Sequence, residues 1–204
     1  MGDFLRAINR TKILFSLTLG GRRNKMEKTY QGGRCMDREY SCCFTGHRPD
    51  KLPWGTNEMD GRCLTLKLRL EEAVEDAYKD GMRHFICGMA KGTDLYFAEA
   101  VLKLRKVREN VTLEAARPCQ TQSHGWSEPE QCRYQEILEQ CDYETLVQHT
   151  YDRGCMLRRN RYMVDHSSLV IAVYNGDPKG GTAQTLAYAM RKGVPTKILY
   201  LEEE

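Results

Sequence analysis

Three short stretches carry the residue types that can hold a charged small molecule. They are Thr45-Gly46-His47-Arg48, the run from Gly88 through Gly92-Thr93-Asp94, and Gly180-Gly181-Thr182. Glycines let the backbone come close to a ligand, and the first N–H groups of a helix point outward without partners. A glycine turn opening a helix is therefore a natural anion cradle. Arg48 offers a planar fork of donors that matches a phosphate with two parallel bonds. Thr182 adds a hydroxyl donor to its glycines. Asp94 can accept hydrogen bonds from ribose hydroxyls, or simply favour the helix dipole by about 0.3–1 kcal/mol. His47 reads first as a structural hydrogen-bonder.

Further along, Arg161 can reach a phosphate, although an Arg161–Asp165 pair at i,i+4 would be worth only about 0.2–0.5 kcal/mol. Its neighbours Arg158 and Arg159 read as a solvated helix face. Trp54 and Trp126, in polar loops, are either core plugs or a lid for a base. No single motif decides the matter. The Gly88–Asp94 loop lacks the Gly-Lys-Ser/Thr of a Walker A loop and is not Gly-x-Gly-x-x-Gly.

The elements around these stretches alternate. Strands are expected at 40–44, 83–87, 111–116, 144–149, 169–174 and 196–201, and helices at 57–79, 94–106, 127–140, 153–166 and 182–191. Leu64-Leu66-Leu68-Leu70 alternates like a strand, but the length of the run and its lack of Gly and Pro favour a helix, with Asn57 as its N-cap. Ser127-Glu128-Pro129-Glu130 has the form of a capping box. The unbroken apolar run 169–174 suits a strand buried on both faces of a parallel sheet. Strand–helix alternation at this spacing predicts an α/β fold with a doubly wound, mostly parallel sheet and helices on both faces. The three candidate loops would then meet outside the carboxyl ends of the strands.

Charge is unevenly spread. Residues 1–35 carry eight Lys/Arg and two Asp/Glu, whereas 36–204 carry 23 and 26. The expected division is a disordered basic leader or over-extended start at 1–35 and one domain at 36–204. The mildly acidic domain lacks the basic footprint of a nucleic-acid binder, so nucleic acid is not the expected partner. Nine scattered cysteines without Cys-x-x-Cys spacing argue for reduced thiols, a cytoplasmic location and no metal site. No run reaches the roughly 20 apolar residues of a membrane span.

The motifs in order resemble the YpsA-type proteins of the SLOG superfamily. They are Phe44-Thr45-Gly46-His47-Arg48-Pro49, Gly88-x-x-x-Gly92-Thr93-Asp94, Arg161 through Asp165-His166-Ser167 before a strand ending at Tyr174, and Gly180-Gly181-Thr182. The superfamily also holds the Lonely Guy phosphoribohydrolases and the DNA-processing protein DprA. The resemblance spans about 36–201. It implies a Rossmann-like fold, a pocket for a nucleotide or phosphorylated ribose such as a nucleoside phosphate or ADP-ribose, and a link to bacterial cell division. The expected ligand set is Thr45, Gly46, His47, Arg48, Gly88, Gly92, Thr93, Asp94, Arg161, Gly180, Gly181 and Thr182, with no separate cofactor. Lonely Guy enzymes place a glutamate where this chain has Gln184-Thr185, so binding or regulation is expected ahead of N-glycosidic bond cleavage. A scaffold with a vestigial pocket is the third reading. Protein partners and self-association are left open.

Overall fold

The computed structural model describes residues 14–16 and 37–201. Six strands form the body of one parallel sheet: β2 (Ser41–Thr45), β3 (His84–Cys87), β4 (Thr112–Arg117), β5 (Tyr143–Leu146), β6 (Leu169–Tyr174) and β7 (Thr196–Tyr200). A further short strand, β1 (Leu14–Ser16), runs parallel to β5 at that edge. The order is β1-β5-β4-β3-β2-β6-β7, and every pairing is parallel. The chain winds outward from β2 in one direction, then returns to lay β6 on the other side of β2. The reversal between β2 and β6 is the point where such sheets open a crevice. Most of the expected 1–35 leader lies outside the described residues.

Helices α1 (Gly61–Lys79), α2 (Thr93–Arg105) and α3 (Glu128–Gln140) cover one face of the sheet, and α4 (Cys155–Asp165) and α5 (Gly181–Arg191) cover the other. The α1 face holds the larger core, where Phe44 stacks on Phe97 at 4.6 Å between ring centroids. The leucine alternation in α1 resolves as helical packing. Leu66, Leu70, Ala73 and Ala77 are buried, whereas Leu64 and Leu68 face water.

Two expectations shift locally. Asp60, not Asn57, caps α1, because its Oδ1 accepts from the Arg62 amide at 2.9 Å. Asn57 instead turns the preceding loop through the Met59 amide. The strand expected at 144–149 is shorter and ends at Leu146. The expected capping box is present: Glu130 Oε2 accepts from the Ser127 amide and hydroxyl, both at 2.8 Å.

Candidate functional site

The ends of β2, β3 and β6 bring the three glycine-containing loops together, and hydrogen bonds between them fasten the group. The Thr93 hydroxyl donates to the His47 carbonyl at 2.9 Å, and the Thr182 hydroxyl donates to the Gly46 carbonyl at 3.0 Å. The Asn175 amide donates to His47 Nε2 at 3.1 Å. Because that nitrogen accepts, the imidazole is neutral in this arrangement. Burial pushes its pKa down. Lys51 Nζ reaches across to Asp177 Oδ2 at 2.9 Å and ties the loop after β2 to the loop after β6. Thr93, Thr182 and His47 thus hold the loops in place. Thr45 is buried at the end of β2, opposite Ala172 of β6.

Glycine is required where the loops close. Gly92 has φ +85, and a Cβ there would lie 2.9 Å from the His47 carbonyl. At Gly88 a Cβ would fall 2.0 Å from Arg159 Nη1 and 2.8 Å from Asp94 Oδ2. The Arg159 guanidinium and the Asp94 carboxyl therefore flank Gly88 on a backbone with no side chain between them.

Arg159 is the arginine of this site. The sequence reading set it on a solvated face, yet it is 4% exposed. It lies on the inward stripe of α4 with Cys155 and Met163, each four residues apart, and all three are buried. Its Nη1 donates to the Gly88 carbonyl, its Nε to Asn160 Oδ1 at 2.8 Å, and its Nη2 lies 4.0 Å from the Met156 sulfur. Each of these acceptors is neutral. No carboxylate oxygen lies within 4.0 Å of this cation among the described residues. Burial pushes the Arg159 pKa down, and Asp94 partly offsets this. Arg161, the expected ligand, is exposed and sits over the Tyr188 ring instead.

Asp94 is also buried. Its carboxyl accepts a hydrogen bond from the Ala90 amide at 3.1 Å. Burial raises its pKa; the charges of Arg159 and Arg48 and the Ala90 bond pull the other way without cancelling the rise. Arg48 is exposed, and its guanidinium makes no hydrogen bond or ion pair with the described residues. Beside the crevice lies a cavity of about 440 Å³ lined by Arg48, Lys91, Gln122, Trp126 and Met156 among others. Trp126 packs edge-on to Tyr134 at one wall of it, whereas Trp54 is buried in the core. Gly180 and Gly181 start α5, and Asn160 Nδ2 donates to Thr185 Oγ1 at 2.9 Å just inside that start. Arg159, Asn160 and Gln122 escaped the sequence reading. Only Arg159 left a signal, its four-residue spacing with Cys155 and Met163.

A parallel sheet reversing at β2 and β6, with three loops clasped over that reversal, defines a Rossmann-like α/β protein. The model of the YspA SLOG family matches residues 42–202, and the chain belongs to that family. It is 26% identical to a UPF0398 protein of Halalkalibacterium halodurans over 152 residues, 73% of this chain and 79% of that protein. Its identity to the UPF0398 protein YpsA of Bacillus subtilis is 23% over 167 residues, 78% of this chain and 92% of the relative. Among solved structures, DNA processing protein A from Helicobacter pylori aligns with a TM-score of 0.53 at 18% identity, over 80% of this chain and 66% of that one. The Streptococcus pneumoniae DprA gives 0.52 at 15% identity, over 83% of this chain and 52% of that one. These last two likenesses are of fold. No helix among the described residues is long and apolar enough to cross a membrane.

Proposed function

We propose that the crevice at the β2/β6 reversal binds the phosphate of a nucleotide or nucleotide derivative, and that the protein acts in the cytoplasm by binding rather than by cleaving. One observation carries this reading: the buried Arg159 guanidinium, satisfied only by neutral acceptors and facing no contacting carboxylate. A buried cation that pairs directly with no carboxylate stays under-satisfied even with Asp94 nearby, and a bound anion would relieve it. Arg48 supplies a second, exposed cation, and the start of α5 supplies outward N–H groups. The ribose would meet Asp94. Near the position where Lonely Guy enzymes carry their glutamate this chain has Gln184 and Thr185, neither a carboxylate, and Thr185 is buried and donates to the Gly181 carbonyl at 2.7 Å, which supports binding over hydrolysis. The family resemblance would place this binding in bacterial cell division.

The test is calorimetric titration of the folded chain with nucleoside monophosphates, ADP-ribose and, as a separate arm, a short single-stranded oligonucleotide. The last arm is included because the Helicobacter pylori neighbour is described by its single-stranded DNA binding mode. Failure of all of them to bind removes the reading. Asp94, an acid held toward its protonated form in the crevice, favours a second reading: cleavage of an N-glycosidic bond with Asp94 as proton donor. Chromatography for free base, lost in Asp94→Asn, is its test.

A further inference from the structure

The sheet has two edges, and they are finished differently. At one, β1 lies along β5. At the other, β7 carries no strand on its outer side among the described residues. An open edge is a row of donors and acceptors ready to pair with another strand. The bonds that bracket β7 fix which groups are open. The Val170 amide donates to the Pro195 carbonyl at 2.9 Å, and the Leu201 amide donates to the Tyr174 carbonyl at 3.0 Å. Backbone direction alternates along a strand, so Lys197 and Leu199 also bond β6, and the N–H and C=O groups of Thr196, Ile198 and Tyr200 point outward. The Tyr200 carbonyl accepts from Arg69 Nη1 at 2.9 Å. Nothing among the described residues bonds the outward groups of Thr196 and Ile198.

The surface beside this edge is charged on one face and apolar on the other. Lys197 and Leu199 point to the α1 face, where Leu199 joins the core and Lys197 Nζ meets Asp76 Oδ2 at 2.8 Å. Thr196, Ile198 and Tyr200 therefore point to the α5 face, and Tyr200 is 55% exposed. On α5, Tyr188 and Lys192 turn to Asp165 of α4. Leu186 and Met190, on the opposite side of that helix, lie on its flank toward β7, and Met190 is 83% exposed.

We propose that β7 pairs with β7 of a second copy of this chain, antiparallel about a twofold axis at Ile198, and so joins the two sheets into one. In this register Ile198 meets Ile198, and Thr196 meets Tyr200 of the second copy. Every open N–H then finds a carbonyl, because the Tyr200 oxygen has a second lone pair beside Arg69. Charge sets the register. Arg69 sits at the Tyr200 end and Asp76 at Lys197, so the axis brings Arg69 toward Asp76 of the second copy, and the reverse. Moving the axis to Lys197 would set two lysines against each other. On the α5 face, the Val194 amide bonds the Ala189 carbonyl and keeps Met190 near the start of β7. Met190 then comes against Leu186 and Tyr200 of the second copy. One patch thus supplies both halves of an isologous contact. Neither the crevice nor its ligand enters this pairing.

Sedimentation equilibrium of the full chain from about 1 to 100 μM tests it, and a dimer is expected within that range. Ile198→Pro removes an outward N–H and leaves the bonds to β6 in place, so it is expected to be monomeric with an unchanged circular-dichroism spectrum. Met190→Glu sets a carboxylate against Leu186 and Tyr200 of the second copy and is expected to weaken dimerisation about tenfold. Met190 is exposed, so this variant decides the matter if the proline variant does not fold. A dimer that survives undiminished in Met190→Glu or in folded Ile198→Pro overturns the pairing. A wild-type chain that stays monomeric throughout also overturns it, and leaves the β7 edge to an extended segment of a different protein.

Discussion

Glu114 and Asp94 are both buried, and their surroundings differ in kind. Glu114, in the middle of β4, accepts from Tyr162 at 2.8 Å through one oxygen and meets His84 Nε2 at 2.8 Å through the other. His84 is in turn held at Nδ1 by Thr112 at 2.9 Å. Burial pushes the Glu114 pKa up, but His84, Thr145 and Tyr162 outweigh it and hold the carboxyl below its usual range. Asp94 has one amide donor and two guanidinium groups nearby that do not pair with it, and its pKa stays raised. A fully satisfied buried acid stabilises the fold, whereas an under-satisfied one beside an under-satisfied arginine leaves room for a third party. That difference separates the structural cluster on β3–β5 from the candidate site at the sheet's carboxyl end.

The largest expected effect breaks the first region. Glu114→Ala strands the His84 and Tyr162 donors inside the sheet–helix interface and should lower unfolding free energy by about 3 kcal/mol. Chemical denaturation measures this, and nucleotide affinity of the folded fraction should be unchanged. Arg159→Met tests the second region with the opposite pattern. Removing a buried charge that pairs directly with no carboxylate should change stability by no more than about 1 kcal/mol. Affinity for a nucleoside monophosphate should fall about 30-fold, or about 2 kcal/mol, as a charge-assisted contact is lost. A loss of several kcal/mol in stability with affinity intact would instead make Arg159 a strut and erase the contrast.

Acid titration sharpens the comparison through sign. Glu114 is held below its unfolded value, so its contribution is present above about pH 4.5 and is lost as pH falls through the folded pKa. Asp94 is held above its unfolded value, so the folded state keeps its proton longer and stability declines as pH rises from about 3.8 toward the folded pKa. Glu114→Gln should therefore flatten the acid-side loss of stability relative to wild type, and Asp94→Asn should steepen it. Denaturant midpoints measured between pH 3 and 7 check both; slopes moving in the same direction in the two variants would show that the two carboxyls are not opposed.

Much of this architecture was legible because it follows from periodicity. The 169–174 run suits a strand buried on both faces, and strand–helix alternation placed the loops of Gly46, Gly88 and Gly180 at one end of the sheet. What stayed hidden depends on distances between segments far apart in the chain. That Thr93 and Thr182 use their hydroxyls to clasp the loop after β2 follows only from where His47 and Gly46 lie in space. Asn57 and Asp60 are both good cap types, and the local turn decides between them. Gln122 sits in a polar loop that says nothing of the two carbonyls it meets 34 and 33 residues away. Arg159 was misread because residue type was weighed above its four-residue spacing with Cys155 and Met163.

The smallest expected effect separates two exposed arginines that the sequence treats alike as phosphate ligands. Arg48 lines the cavity, its guanidinium has no partner among the described residues, and its charge acts on Asp94. Arg161 is turned away on α4 and covers Tyr188, with its centre 5.6 Å from the ring. An exposed cation near an anion is worth about 1 kcal/mol at most and is weakened by salt. Arg48→Ala should therefore weaken nucleotide binding about fivefold at low ionic strength and less at high, whereas Arg161→Ala should leave affinity within twofold at either. Equal losses in the two variants would mean that long-range charge, rather than the cavity beside the β2/β6 reversal, draws the ligand in, and the local reading of the site would then rest on Arg159 alone.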